Sequence, residues 1–217
     1  MNYFAHALPF LDRPYFMAGT GVPDWLTVVD RRVRVRIKHA EPFLHDPDQH
    51  TAAVAGGMLQ HLRDDARFHN TRAFLETCLE LTAQVRDALG AEAGFRPGFL
   101  GHLLLEVLLD AALAAEQPAA LEQYYQVLEA VDAAVVQRAV NHICPVPTDR
   151  LAPMIRQFCR HRILWDYLED GKLMVRLNQV LRRVQFEPLP AGFGDMLPAA
   201  RRLVAARRSE LLEGIPA

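Results

Sequence analysis

Cysteine is scarce in this chain: Cys78, Cys144 and Cys159 are the three thiols among 217 residues. No two of them fall at the spacing of a zinc ribbon or a redox motif, which excludes a disulfide-stapled scaffold and fits a reducing, cytoplasmic setting. Cys159 stands among Arg156, Arg160 and His161, neighbours able to lower a thiol pKa, although a half-buried structural thiol is the plainer reading. A charge excess of one sign is also missing. At a net charge of −2 there is no broad basic surface to displace counterions from phosphates, so nucleic acid is not expected as the main partner. No unbroken apolar run reaches the ~20 residues of a membrane helix, and no basic segment followed by an apolar run opens the chain. Neither a membrane span nor a secretory leader is expected.

Several chemistries lack their sequence signatures. There is no glycine-rich phosphate loop, no Gly-x-Gly-x-x-Gly and no His-Glu-x-x-His. A Gly-x-Ser-x-Gly elbow is absent, as is the Glu-x-x-His pair of ferritin-like di-iron bundles. Strand patterning is almost absent: alternation of period two occurs once, at Val33–Lys38, as a short strand or an extended connector. Elsewhere apolar residues recur at intervals of three and four. The pattern predicts one all-α domain over residues 1–217, with helices near 12–21, 24–35, 49–67, 70–89, 97–115, 118–142, 148–168, 171–184 and 194–213. Residues 39–50 read as a surface loop. Gly90, Gly94 and Pro97 mark one break between helices; Pro145 and Pro147 mark another.

What the chain does have is two sets of ionisable residues at helical spacing. His61, Asp65 and His69 stand at i, i+4 and i+8, and so do His102, Glu106 and Asp110. Each step of four advances about 400° around a helix, so each trio lies along one face. The ends of a trio are separated by about 12 Å of rise, too far to wrap one ion. Two facing helices could instead supply ligands to one ion or a pair, with His69 and His102 as ligands or proton-transfer groups. The second trio is the sharper signal. Leu103, Leu104, Leu105, Val107, Leu108 and Leu109 surround it, and ionisable groups on so apolar a helix need a metal or a partner network. Around the first trio, Arg63, Asp64 and Arg67 indicate a solvated side.

His6 sits in an apolar stretch, where a histidine is more often a core residue than a ligand. Asp24 follows Pro23, as a helix N-cap or as a ligand. The adjacent His45-Asp46 pair precedes Pro47, which disfavours helix at the residue before it, so this pair reads as loop. Arg31, Arg32, Arg34, Arg36 and Lys38, and later Arg201, Arg202, Arg207 and Arg208, read as solvated faces.

Taken together, the opening Met1-Asn2-Tyr3-Phe4-Ala5-His6, the Gly19 to Asp24 spacing before Trp25, the His61-x-x-x-Asp65 helix and the Glu106-x-x-x-Asp110 pair resemble bacterial acyl carrier protein phosphodiesterase, over roughly residues 1–115. That family is an all-helical relative of the HD-domain metal phosphohydrolases. The resemblance implies a helical bundle of that type and a metal-dependent phosphodiesterase acting on a phosphate ester, one carried on a protein in the family. It implies manganese as the metal, with His6, Asp24, His61, Asp65, Glu106 and Asp110 as ligands to one or two ions. Iron or zinc would suit the same donors. Two other readings stay open: a helical binding protein with a structural or vestigial metal site, and an iron-dependent oxidase or oxygenase on a helical scaffold. Residues 116–217 carry no resemblance and no assigned role.

Overall fold

A computed structural model describes residues 1–90 and 97–215. Among them every regular element is helical and no strand occurs, in agreement with the all-α expectation. The helices are α1 (Tyr3–Ala7), α2 (Pro14–Val29), α3 (Ile37–Ala40), α4 (Gln49–His69), α5 (Arg72–Leu89), α6 (Pro97–Glu116), α7 (Pro118–Ala130), α8 (Ala133–Ile143), α9 (Leu151–His161), α10 (Asp170–Arg183) and α11 (Leu197–Leu211). Short 3₁₀ turns cover Leu8–Phe10, Glu41–Phe43, Ile163–Leu168 and Ala191–Met196. Gly94, one of the expected breaks, lies outside the described residues.

Where the expected helices differ, local chemistry explains it. The two helices anticipated over 12–21 and 24–35 are one helix, α2, with Pro23 inside it. Pro23 has no N–H to give to the Gly19 carbonyl, yet packing on both sides keeps the helix continuous. Asp24 is therefore inside a helix and not an N-cap. The segment Val33–Arg36 is a connector without partner strands. The helix expected over 118–142 breaks at Val131, whose extended backbone precedes Asp132; the Asp132 side chain then caps α8 by accepting from the Ala134 N–H at 2.8 Å. This is the standard role of an aspartate at a helix start.

The chain condenses into two compact units, each drawing on distant stretches of sequence. The first comprises residues 2–66 and 117–162; the second comprises residue 1, 67–116 and 163–215.

In the first unit, α1 and α2 pack with α7, α8 and α9. Its core is an aromatic cluster. Tyr3 lies 4.8 Å from the Phe158 ring, Phe4 meets Tyr124 edge-on at 6.0 Å, and Trp25 meets Phe158 edge-on at 5.5 Å. These rings are all buried, and burial of each contributes on the order of 2 kcal/mol. A five-residue helix has almost no stability of its own, so α1 is held by Tyr3 and Phe4, and His6 is positioned through them. The C-terminal end of α2 is tied down by Asp30. Its carboxylate accepts both from Arg32, at 2.8 Å, and from the Thr148 hydroxyl at 3.1 Å.

α4 meets α2 backbone to backbone. A Cβ on Gly19 would stand 2.5 Å from the Val54 carbonyl oxygen, and one on Gly57 would stand 2.8 Å from Gly19 Cα and collide with the Phe16 carbonyl oxygen. The core-facing stripe of α4 runs Val54, Met58, His61, Asp65, at intervals of four, three and four. The same periodicity that buries Val54 and Met58 thus directs His61 and Asp65 toward α2.

The second unit is built around α6, which packs on α5, α11 and the turn Ile163–Leu168. By length and composition α6 could cross a membrane, but most of its apolar stretch is buried in the structure, as in a core helix. Gly101 permits close approach to α5, where a Cβ would stand 2.9 Å from the Thr82 nitrogen. Thr71 caps α5 by accepting from the Phe74 N–H at 3.1 Å. The arginines of α11 do more than face water. Arg201 donates to Asp170 and to the Tyr167 carbonyl, Arg207 reaches Glu80 on α5, and Arg208 pairs with Glu116 on α6. Only Arg202 of the four is fully on the exposed face.

The Gly57 contact yields a direct test. Gly57→Val should destabilise the protein by roughly 1–3 kcal/mol through overpacking, read as a lower melting temperature. Gly98→Ala, where a Cβ meets nothing within 4 Å, should be neutral or slightly stabilising. Equal melting curves for wild type and Gly57→Val would show that the backbone contact is dispensable.

Candidate metal centre

In the first unit, three helices converge on one group of ligand atoms. α1 supplies His6; α4 supplies His61 and Asp65. One donor atom from each lies within 4.8 Å of the others. The two imidazoles stack with ring centroids 4.0 Å apart. Asp65 bridges them, with one oxygen 3.2 Å from His6 Nε2 and the other 3.4 Å from His61 Nε2. α2 adds Asp24, whose carboxylate lies 3.9 Å from His61 Nε2. Both histidines are sealed from solvent, while the carboxylates of Asp24 and Asp65 are partly exposed. The histidines form a floor and the aspartates an open rim.

The tautomer of His61 follows from its surroundings. Its Nδ1 lies 2.9 Å from the Thr20 carbonyl oxygen, which can only accept, so Nδ1 carries the proton. In the neutral ring Nε2 is then a lone pair, and it faces the carboxylates of Asp24 and Asp65. A lone pair opposed to carboxylates is unfavourable unless a cation or a proton lies between them. Burial favours the neutral ring, but Asp24 and Asp65 outweigh burial, and the His61 pKa is raised above its ordinary value. Burial likewise opposes ionisation of Asp65, yet the imidazoles of His6 and His61 prevail and hold its carboxyl well below the usual range. The site is built for positive charge at its centre.

His6 makes the same point more sharply. Both of its ring nitrogens are buried and neither has a well-directed hydrogen bond among the described residues. Their nearest polar neighbours are carboxylates: Nε2 lies 3.2 Å from Asp65 and Nδ1 lies 3.6 Å from Asp64. A buried polar atom left without a hydrogen bond costs about 1–3 kcal/mol. Metal coordination would satisfy it. A donor set of imidazole and carboxylate suits manganese, iron or zinc.

Asp64 is the residue that the sequence pattern misplaced. Expected on the solvated side of α4 with Arg63 and Arg67, it is buried. Its carboxylate accepts from Gln60 at 2.8 Å and lies beside His6. The available signal was its position three residues after His61, which shares a helix face with it.

The second unit holds a second group: His69, His102 and Glu106, again with donor atoms within 4.8 Å of one another. Glu106 Oε1 lies 3.2 Å from His69 Nε2, 3.0 Å from His102 Nε2 and 3.1 Å from the Met1 amino nitrogen. Burial works against ionisation of Glu106, but the two histidines and the ammonium overcome it and hold the carboxyl below its normal range. Phe74 packs edge-on against both imidazoles. Asp110 is buried one turn further along α6. The sequence-predicted residues therefore gather as His6, His61 and Asp65 with Asp24 nearby, and as His69, His102 and Glu106. The second group joins His69 of the first trio to His102 and Glu106 of the second, while the first group joins His61 and Asp65 to residues outside both trios.

His45 and Asp46 lie in the turn before α4, as the following proline predicts. Arg31, Arg34, Arg36 and Lys38 are exposed. No protein-family model, curated protein or solved structure matches this chain.

Cys159 is not activated by its basic neighbours. Burial, and then the Glu129 carboxylate, push its thiol up to about 11. Relative to an ordinary thiol it should carry roughly a hundredfold less thiolate at pH 8. Alkylation by iodoacetamide, followed peptide by peptide, should be slow at pH 8 and accelerate up to about pH 11. Rapid labelling of Cys159 at pH 8 would contradict the burial argument.

Proposed function

We propose that this chain is a metal-dependent hydrolase of phosphate esters, of the phosphodiesterase type that the sequence resembles, with its metal held by His6, His61 and Asp65 and with Asp24 at the rim. The observation that carries the reading is the sealed His6–His61 pair. Both ring nitrogens of His6 lack a hydrogen bond among the described residues, and His61 Nε2 faces the same Asp65 carboxylate, an arrangement that a cation between them would satisfy. Manganese is the metal the resemblance implies. When bound, such an ion supplies Lewis acidity to a phosphoryl oxygen and a bound water of lowered pKa.

The chain's own residues do the rest. The Thr20 carbonyl fixes the His61 tautomer and aims Nε2 into the site, as outer-shell acceptors do at metal centres. Gln60 orients Asp64, which supports His6 from the side away from Asp65. The partial exposure of Asp24 and Asp65 leaves one edge open, where an ester could reach the ligands without displacing the histidines. The histidines exclude water from the other side, which strengthens every electrostatic interaction within the site. An all-helical scaffold carrying grouped histidine and aspartate donors is in keeping with the HD-type resemblance.

The test is hydrolysis of bis(p-nitrophenyl) phosphate by protein loaded with Mn²⁺. Wild type should turn the ester over, and chelator should abolish turnover. His61→Ala and Asp65→Ala should each lose at least roughly a hundredfold, since changes to supporting residues alone cost 10–100-fold at such sites. Metal-replete protein inactive on both phosphodiesters and phosphomonoesters would overturn the hydrolase reading in favour of a structural metal site.

A further inference from the structure

The second unit holds a constellation that the proposed hydrolytic site does not use. His102 and Glu106 stand one turn apart on α6, so their side chains share a face. His69, the last residue of α4, meets them there. Both histidines present the same atom, Nε2, to the same carboxylate oxygen, at 3.2 and 3.0 Å. The rings lie 4.9 Å apart, centroid to centroid, neither stacked flat nor fully perpendicular. Phe74 backs both of them, so one apolar wall fixes two imidazole orientations at once. α6 is held against α5 at Gly101, the residue beside His102.

Three nitrogens converge on Glu106 Oε1, because the Met1 amino group also lies 3.1 Å away. Three donors directed at one oxygen crowd a single acceptor that has two lone pairs. The same positions suit a cation, with two imidazole nitrogens and one carboxylate as ligands. All three side chains are partly exposed, so an ion and solvent can reach them from outside. Two histidines, one glutamate and an open position is a ligand set found at catalytic zinc.

We propose that His69, His102 and Glu106 form a second divalent-metal site, separate from the His6–His61–Asp65 group, with the ligand chemistry of zinc. The ion takes the place of the Met1 ammonium as the positive partner of Glu106. Asp110, buried one turn beyond Glu106, is not needed as a ligand for this site.

Cobalt(II) is the probe, because it occupies zinc sites and its visible absorption reports coordination by nitrogen and oxygen. Full-length, metal-free protein is titrated with Co²⁺, and bound ion per chain is measured after desalting. Wild type should bind one more ion than His102→Ala or Glu106→Gln. The lost ion should account for a separate part of the visible spectrum. His61→Ala should retain the ion that those variants lose, which makes this result independent of the hydrolytic site. If the first site fails to bind, wild type still holds one ion and His102→Ala holds none. Far-UV circular dichroism and the melting temperature of metal-free Glu106→Gln, the conservative variant, guard against simple misfolding. Equal Co²⁺ stoichiometry and spectra for wild type, His102→Ala and folded Glu106→Gln would overturn the proposal. So would loss of every ion in His61→Ala.

Discussion

The near-contact of the α2 and α4 backbones at Gly19 and Gly57 is the constraint on which the first candidate site depends. Only where neither helix carries a Cβ can the Thr20 carbonyl come within hydrogen-bond distance of His61 Nδ1. That bond settles which nitrogen of His61 is protonated, and so which one faces Asp24 and Asp65. A side chain at Gly57 would push the helices apart by the width of a methyl group. It would also unlock the imidazole, although residue 57 lies a full turn from any ligand.

A balance of burial against charge follows from that geometry. The aromatic cluster of Tyr3, Phe4, Trp25, Tyr124 and Phe158 holds a five-residue helix in place and forces His6 into the interior. Such a position disfavours any unpaired charge. The carboxylates of Asp24, Asp64 and Asp65 are brought to the same place, and only positive charge makes the arrangement favourable. The second unit solves the same problem around Glu106, with two imidazoles and an ammonium around one oxygen. In both units helical spacing places an acid one turn from a histidine, and a neighbouring helix provides the other histidine.

Much of this was legible in the sequence. The scarcity of alternating stretches implied an all-helical chain, and the spacing of His61 with Asp65 and of His102 with Glu106 put each pair on one helix face. The composition of α6 announced a buried helix carrying ionisable groups. Other features were not legible because they depend on contacts between distant segments. Pro23 looked like a break between two helices, with Asp24 as the cap of the second, whereas α2 continues through it with buried residues on both sides. Asp64 looked solvated because Arg63 and Arg67 flank it, whereas its burial depends on His6, 58 positions earlier in the numbering. The spacing of the trios suggested His61 and Asp65 paired with Glu106 and Asp110. The groupings actually seen, with His6 in one and His69 in the other, require the positions of α1 and of the end of α4. The arginines of α11 looked like a solvated face because their acidic partners lie on α5, α6 and α10.

The central claim is that a divalent ion belongs between His6, His61 and Asp65, and anomalous diffraction from crystals grown with Mn²⁺ tests it most directly. The account predicts an anomalous peak about 2.0–2.2 Å from His6 Nε2, His61 Nε2 and a carboxylate oxygen of Asp65, as for first-row metals on these donors. His61 Nδ1 should still be bonded to the Thr20 carbonyl in that crystal. A crystal with Mn²⁺ in excess, no anomalous peak at this point, and His6 turned to make ordinary hydrogen bonds to Asp64 and Asp65 would contradict it.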